Sequence, residues 1–153
     1  MHETEALHIR RLTAEDLEPL HRLLSDPAVM RYLEPPFTRA QTEAFLQKAG
    51  MGREPLIRAV EDGRGFAGYV IYHPYDETSM ELGWVLASDR WGRGYALALT
   101  RQMICRARES GRDAVIECHP QQAATRHIAE KLGFRTCGMD GGCCVYRLAG
   151  KNE

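Results

Sequence analysis

The chain has 153 residues, and because a domain usually takes about 100–200 residues, we expect a single domain over residues 1–153. Hydrophobic residues make up 44% of the chain and charged residues 27%, a balance that excludes a disordered chain, a collagen and a coiled coil. Twenty Lys and Arg side chains against 21 Asp and Glu give a formal charge of −1. No strong field is therefore present to hold nucleic acid or an anionic membrane.

The N-terminal sequence and the cysteines favour a cytoplasmic protein. Residues 1–5 are acidic and no apolar core follows them, so we expect no signal peptide. No apolar run approaches the ~18 residues of a membrane span. The five cysteines are an odd number and are expected to be reduced thiols. Cys137, Cys143 and Cys144 lack Cys-x-x-Cys spacing and have only His119 nearby, so we expect no bound metal.

The first third of the chain is predicted to contain one strand and two helices. Residues 7–12 alternate apolar and polar side chains, as a half-buried strand does. Thr13 is suited to cap the N-terminus of the helix that follows it. A second helix is predicted to begin at Thr38, with Gln41 as the partner in a capping box. Residues 26–37 between the helices are expected to form a helical turn and a loop.

The rest of the chain is predicted to alternate strands and helices. Strands are expected over residues 55–61, 66–73, 78–86, 113–118, 135–137 and 143–148, and helices over residues 94–110 and 122–132. The predicted order is therefore β-α-α-β-β-β-α-β-α-β-β. Such an order favours an α/β fold, in which helices cover both faces of a mixed sheet.

The most informative segment, residues 81–96, joins a strand to a long helix through a turn that contains glycine. Such a turn presents free backbone N–H groups at the positive end of the helix dipole, which suits a phosphate group. Gly92 and Gly94 have no Cβ, so a ligand can approach the backbone closely. Arg90 and Arg93 could add positive charge beside the same anion. The alternative is a plain turn whose glycines only set the backbone dihedral angles.

Two motifs resemble those of the GNAT N-acetyltransferase superfamily. Its acetyl-CoA signature, Gln/Arg-x-x-Gly-x-Gly/Ala, is similar to Trp91-Gly92-Arg93-Gly94-Tyr95-Ala96. Trp91 departs from the commonest Gln or Arg, but this form resembles the branch of the ribosomal-protein-alanine N-terminal acetyltransferases. Residues 122–134 are similar to the family's Asn-x-x-Ser followed by Glu-Lys-Leu-Gly-Phe. The resemblance covers nearly the whole chain, in the family's order.

The resemblance implies a GNAT-type fold with a central mixed, mostly antiparallel sheet, and acetyl-CoA as the acetyl donor. Backbone amides of the turn would hold the CoA pyrophosphate, and the preceding strand would pair with the pantetheine amides. A backbone N–H of that strand would polarise the thioester carbonyl as an oxyanion hole. Gln122 stands where the family has an Asn that bonds the cofactor. The cofactor-binding residues that it implies are Trp84, Val85, Leu86, Trp91, Gly92, Arg93, Gly94, Tyr95, Ala96, Gln122 and Thr125.

Acetyl transfer needs an uncharged amine, and Glu81 is the candidate for the base that removes the proton. Glu81 lies in an otherwise apolar strand, on the face shared with Gly83 and Val85. The matching Glu of similar enzymes often takes this proton, usually through water. The alternative is a structural Glu paired with a neighbouring Arg.

The leaving thiolate needs a proton donor, for which Thr125 is the candidate. Many relatives use a Tyr at the position of Ala129, whereas Thr125 matches the Ser of the Asn-x-x-Ser motif. Thr125 could instead bond a backbone amide at the start of a helix. His119 is either an alternative base or a loop residue. Cys118 is expected to be a buried apolar residue, because direct attack by an amine needs no cysteine nucleophile.

These observations predict an acetyl-CoA-dependent N-acetyltransferase that works by direct transfer in a ternary complex. The predicted acceptor is the α-amino group of a protein or peptide. An α-amino group with a pKa of ~8 loses its proton at pH 7.5 for less than about 1 kcal/mol, against about 4 kcal/mol for a Lys side chain. The alternatives are a small-molecule amine as acceptor, or a catalytically silent module that binds acyl-CoA. We expect a monomer or homodimer, with neither nucleic acid nor membrane as a partner.

Overall fold

The computed structural model describes residues 6–150, so the prediction for residues 1–5 lies outside the described residues. The strands are β1 His8–Arg10, β2 Ile57–Asp62, β3 Gly65–Asp76, β4 Ser79–Leu86, β5 Asp113–Cys118, β6 Arg135–Asp140 and β7 Cys143–Leu148. The α-helices are α1 Leu17–Leu24, α2 Pro27–Met30, α3 Arg39–Phe45, α4 Tyr95–Glu109 and α5 Ala123–Lys131. Short 3₁₀ turns cover Ala14–Asp16 and Ser88–Arg90, and a π-helical turn, Leu46–Gly50, continues α3. Between residues 6 and 150, no helix is long and apolar enough to cross a membrane.

The seven strands form one sheet in the order β1-β2-β3-β4-β5-β7-β6. β2 pairs antiparallel with β1 and β3, and β7 pairs antiparallel with β5 and β6. β4 and β5 are parallel. A parallel pair needs a long crossover connection, and α4 supplies it. The prediction of an α/β fold with a mixed, mostly antiparallel sheet is therefore confirmed.

Both predicted N-caps, Thr13 and Thr38, are present, and each is part of a capping box, which the sequence predicted only for Thr38. The Thr13 hydroxyl accepts a hydrogen bond from the Glu15 backbone N–H at 3.3 Å, and the Asp16 carboxylate accepts one from the Thr13 N–H at 2.8 Å. Thr38 and Gln41 exchange the equivalent two bonds at 3.2 and 2.8 Å. Each box satisfies two N–H groups that would otherwise lack partners at a helix start. Local side-chain chemistry thus fixes where both N-terminal helical segments begin.

The chain folds into two compact units. Within the described residues, the first unit comprises residues 6–71 and Trp84–Tyr95, and the second comprises Tyr72–Gly83 and residues 96–150. The core of the first unit contains buried apolar side chains of α1, β2 and β3, among them Leu20, Leu24, Ile57 and Tyr69. In the second unit, buried side chains of α4 and β5 include Leu99, Met103, Val115 and Ile116.

Candidate active site

The turn predicted to bind an anion lies between β4 and α4 and is open to solvent. Residues 91–94 are exposed, and α4 begins at Tyr95. Gly92 and Gly94 have φ angles of +75° and +79°, in the left-handed region that favours glycine, and no atom lies within 4 Å of the position of a Cβ. The first N–H groups of an α-helix have no partner within the helix. The exposed backbone of this turn therefore fits a phosphate-bearing ligand.

Asp62, the last residue of β2, anchors both ends of this turn. Its carboxylate is fully buried and accepts hydrogen bonds from Arg90 Nε at 2.9 Å and Arg90 Nη2 at 3.1 Å. The Tyr95 hydroxyl donates to the same carboxylate at 2.8 Å, as does the Arg64 backbone N–H. Arg90 directly precedes the exposed turn and Tyr95 directly follows it. One carboxylate thus holds the turn where it begins and where it ends.

The prediction that Arg90 adds charge to a bound anion is wrong. Its guanidinium is 8% exposed and is paired with Asp62, and a third bond reaches Asp89 at 3.1 Å. A buried cation that already has its counter-charge is not free to bind a ligand. Hydrogen bonds from Arg90 hold the pKa of Asp62 well below its usual range. Arg93, by contrast, is exposed.

We expect Asp62→Asn to lower the free energy of unfolding by about 3 kcal/mol, because it leaves the Arg90 guanidinium buried without its counter-charge. Urea unfolding measures this loss. The pKa of Asp62 in the folded protein lies below its unfolded value of ~3.9. The Asp62–Arg90 pair therefore stabilises the folded state fully when the pH is above ~3.9. Its contribution is lost as the pH falls toward the folded pKa. The difference in the free energy of unfolding between wild type and Asp62→Asn should therefore become smaller below about pH 4.

Asp89→Asn is the matched control, since it removes the other carboxylate that contacts Arg90. Asp89 is 57% exposed, and an exposed ion pair contributes less than about 1 kcal/mol. Equal losses of stability in the two variants would contradict the special role of Asp62.

Trp91 ties the turn to the end of β4. Its indole N–H donates a hydrogen bond to the Leu86 carbonyl oxygen at 3.0 Å, while 51% of the residue remains exposed. Val85 and Leu86 are buried, and Trp84 is half-buried. Trp91 therefore positions the turn through an internal bond, in addition to any contact with a ligand.

Glu81 lies in the second unit, in a cluster of titratable side chains from three strands. Glu81 Oε1 is 3.7 Å from Nε2 of His73 on β3, and each side chain is about one-quarter exposed. Tyr75, also on β3, donates its hydroxyl to Glu117 of β5 at 2.6 Å. Burial raises the pKa of Glu81; the charge of His73 opposes this rise and that of Glu117 adds to it. A carboxylate with a raised pKa is suited to general base catalysis near neutral pH.

The sequence reasoning missed three members of this cluster. The alternative for Glu81 named an Arg partner, but the partner in the structure is His73. His73 and Tyr75 are two positions apart on β3 and so share one face of the strand. Glu117 is a charged residue between apolar ones on β5. These two local patterns are the signals that could have indicated a site.

The loop after β5 and the start of α5 hold the other candidate residues. Gln122 Oε1 accepts a hydrogen bond from the His119 backbone N–H at 2.8 Å, and His119 Nδ1 accepts one from the Gln121 N–H at 3.0 Å. His119 therefore fixes the loop, which supports its interpretation as a loop residue. Thr125 is half-buried in the first turn of α5. Cys118 is buried, and burial raises the pKa of its thiol to about 11, so little thiolate forms at neutral pH.

Metal ligands do not cluster in the described part of the chain. Among residues 6–150, no group of three or more His, Cys, Asp or Glu side chains could hold a metal ion.

The sheet order and the parallel β4–β5 pair define an α/β fold in which an exposed glycine turn lies at the start of α4. The family model of the acetyltransferase (GNAT) domain matches residues 6–135. The chain therefore belongs to the GNAT acetyltransferase family and is an N-acetyltransferase. The family predicted from the two motifs is confirmed.

Several known proteins are similar to this chain over most of its length. It is 26% identical over 145 residues to the uncharacterized N-acetyltransferase YnaD of Bacillus subtilis, which covers 92% of this chain and 85% of that protein. The structure of a GNAT-family acetyltransferase from Bacillus anthracis matches with a TM-score of 0.81, 24% identity and 97% of both chains covered. A spermidine N-acetyltransferase from Vibrio cholerae, in complex with CoA and spermine, matches with a TM-score of 0.74, 22% identity and 92% of both chains covered. At these identities, the two structures establish a shared fold.

Proposed function

We propose that the protein transfers the acetyl group of acetyl-CoA directly to the α-amino group of a protein or peptide, in a ternary complex. The observation that carries this proposal is the exposed turn of residues 91–94, whose two glycines leave the backbone open directly before α4. We further propose that both compact units belong to one acetyltransferase domain. The match of the family model to residues 6–135 supports this, because that range includes parts of both units.

Acetyl-CoA fits the residues of this turn. The backbone amides of Arg93, Gly94, Tyr95 and Ala96 would hold the pyrophosphate, because the positive end of the helix dipole at a helix N-terminus attracts anions. The exposed Arg93 guanidinium would add positive charge. The bound cosubstrate would supply a thioester carbonyl as the electrophile. Further contacts are proposed for Trp84, Val85, Leu86, Trp91, Gly92, Gln122 and Thr125.

Glu81 would take the proton from the acceptor ammonium, which leaves the amine nitrogen with the free electron pair that it needs for attack. Its half-buried position and raised pKa support this role, because a carboxylate with a higher pKa is a stronger base near neutral pH. The Thr125 hydroxyl would give a proton to the leaving thiolate. The α-amino acceptor is supported by the similarity of the turn to that of ribosomal-protein-alanine N-terminal acetyltransferases. It is also the acceptor that needs the least help with deprotonation.

A small polycationic amine is the second candidate acceptor, and one observation favours it. Glu117, Asp140 and Glu81 all act on Tyr75 and raise the pKa of its hydroxyl to about 12, with the bond to Glu117 as the largest cause. Three carboxylates near one phenol form acidic surroundings that would suit an acceptor with more than one positive charge. The relative that binds spermine in its crystal structure has the same fold.

CoA release with a panel of amines tests the proposed function. The panel contains an alanine-initiated peptide without lysine, an N-terminally blocked lysine peptide and spermine. We expect the highest kcat/KM for the alanine-initiated peptide at pH 7.5, together with intersecting initial-velocity patterns. A preference for spermine would establish the second candidate. No CoA release with any amine would identify a silent acyl-CoA-binding module.

Cys118→Ala is the control for direct transfer. Because the Cys118 thiol is buried and protonated, we expect this variant to keep most of the activity. Parallel initial-velocity lines together with an acetylated cysteine would instead establish a covalent acetyl-enzyme.

A further inference from the structure

The Nε2 atom of the His73 ring faces Glu81. Its Nδ1 lies 2.9 Å from the Pro74 carbonyl oxygen. A carbonyl oxygen can only accept a hydrogen bond, so Nδ1 must carry the proton and donate it. In a neutral imidazole the other nitrogen then has a free electron pair. That nitrogen, Nε2, is the atom 3.7 Å from Glu81 Oε1.

Two further titratable side chains, Glu117 and Tyr75, belong to the surroundings of Glu81. Glu117 lies on β5, where Val115 is the register partner of Glu81 and Glu117 is two positions further along. The Tyr75 hydroxyl donates to Glu117, and this bond raises the pKa of Tyr75 to about 12. Tyr75 therefore stays protonated at neutral pH and serves as a donor. When His73 is neutral, the free electron pair of its Nε2 therefore lies next to the Glu81 carboxyl group, where it can accept a proton.

We propose that Glu81 and His73 form a proton relay. Glu81 takes a proton from the acceptor ammonium, so an N–H bond breaks and a carboxyl O–H bond forms. His73 Nε2 then takes this proton, which restores the Glu81 carboxylate and forms an imidazolium. Since 24% of the His73 side chain is exposed, the imidazolium can lose the proton to solvent. The 3.7 Å separation is longer than a hydrogen bond, so a small side-chain movement or one water must close it.

This inference rests on the proposed function, in which Glu81 is the base, and it makes His73 a positioning residue that acts through Glu81. A relay partner removes the proton from Glu81 in every turnover, so its loss lowers the maximal rate. A merely electrostatic partner changes only the pH at which Glu81 ionises. These two effects appear in different parts of a pH–rate profile.

The experiment is a pH profile of kcat for His73→Ala, with and without added imidazole. We expect the plateau of kcat to fall about tenfold, less than for loss of the base itself, and to recover as imidazole is added. His8→Ala, which removes an exposed histidine on β1, should behave like the wild type. An unchanged plateau in His73→Ala, or a lowered plateau without imidazole rescue, would overturn the relay.

A second measurement does not depend on activity. Carbon-13 NMR follows the titration of the Glu81 carboxyl group in the wild type and in His73→Gln, without substrates. We expect the Glu81 midpoint to be higher in His73→Gln, because the charge of His73 favours the carboxylate. An unchanged midpoint would overturn the pairing even if the enzyme is active. A wild type that is inactive with every amine would refute the proposed function itself, and the catalytic relay with it.

Discussion

Glu81→Gln is expected to lower kcat/KM at neutral pH by ~100-fold or more, because the amide keeps the shape of the side chain but cannot take a proton. The expectation rests on the position of Glu81. It is half-buried on β4, its pKa is raised by burial, and Nε2 of His73 lies 3.7 Å from its carboxylate. A base matters most when the acceptor is mostly protonated, so the loss should shrink as the pH rises toward the pKa of the acceptor.

The pH at which activity recovers identifies the acceptor class. With an α-amino acceptor, Glu81→Gln should recover about two pH units lower than with a lysine acceptor, the difference between their pKa values. The measurement is a pH–rate profile of wild type and variant on an alanine-initiated peptide and on a blocked lysine peptide. Glu43→Gln, an exposed glutamate of α3, is the control and should match the wild type.

A Glu81→Gln variant as active as the wild type at every pH would make Glu81 structural. His119 would then be a poor replacement as the base. Its Nδ1 accepts the Gln121 N–H, so in the neutral imidazole Nε2 carries the proton and cannot accept another. The remaining candidates for the base would be His73 and Glu117, which lie near Glu81.

The features that the sequence predicted well are those encoded within a few consecutive residues. Thr13 and Thr38 begin helical segments because their capping partners are three positions away. The glycine turn before α4 is predictable because φ angles near +75° are strained for other residues. The mixed sheet is predicted from the alternation of strands and helices, and the structure makes it mixed through the parallel β4–β5 pair that α4 connects. In each case the residues that cause the structure lie within the same short stretch of sequence that predicts it.

The features that the sequence did not predict depend on residues far apart in the chain. Asp62 and Arg90 are 28 positions apart, and an Asp-Gly pair between two strands is an equally good turn signal. Arg90 therefore resembled a free ligand for an anion until its buried partner was known. His73 faces Glu81 because of the register of the strands, which no local pattern records.

Gly94→Glu is expected to abolish measurable CoA binding while the fold survives. No atom lies within 4 Å of the position of a Cβ at Gly94, so the side chain enters open space rather than the core. Its carboxylate would stand where the proposed pyrophosphate must lie. Like charges in contact cost several kcal/mol, which corresponds to a ~100-fold or larger rise in Kd. Isothermal titration calorimetry with CoA measures the change.

Gly111→Glu is the control that distinguishes loss of CoA binding from the general loss of stability caused by replacing a glycine of positive φ with Glu. Gly111 follows α4 and matches Gly94 in backbone, with a φ of +69° against +79° and no atom within 4 Å of a Cβ. The two variants therefore carry the same added charge and a similar backbone strain. We expect both to lose similar stability in thermal unfolding, and only Gly94→Glu to lose affinity for CoA. Wild-type CoA affinity in Gly94→Glu, or an equal loss in Gly111→Glu, would refute the assignment of the pyrophosphate to this turn.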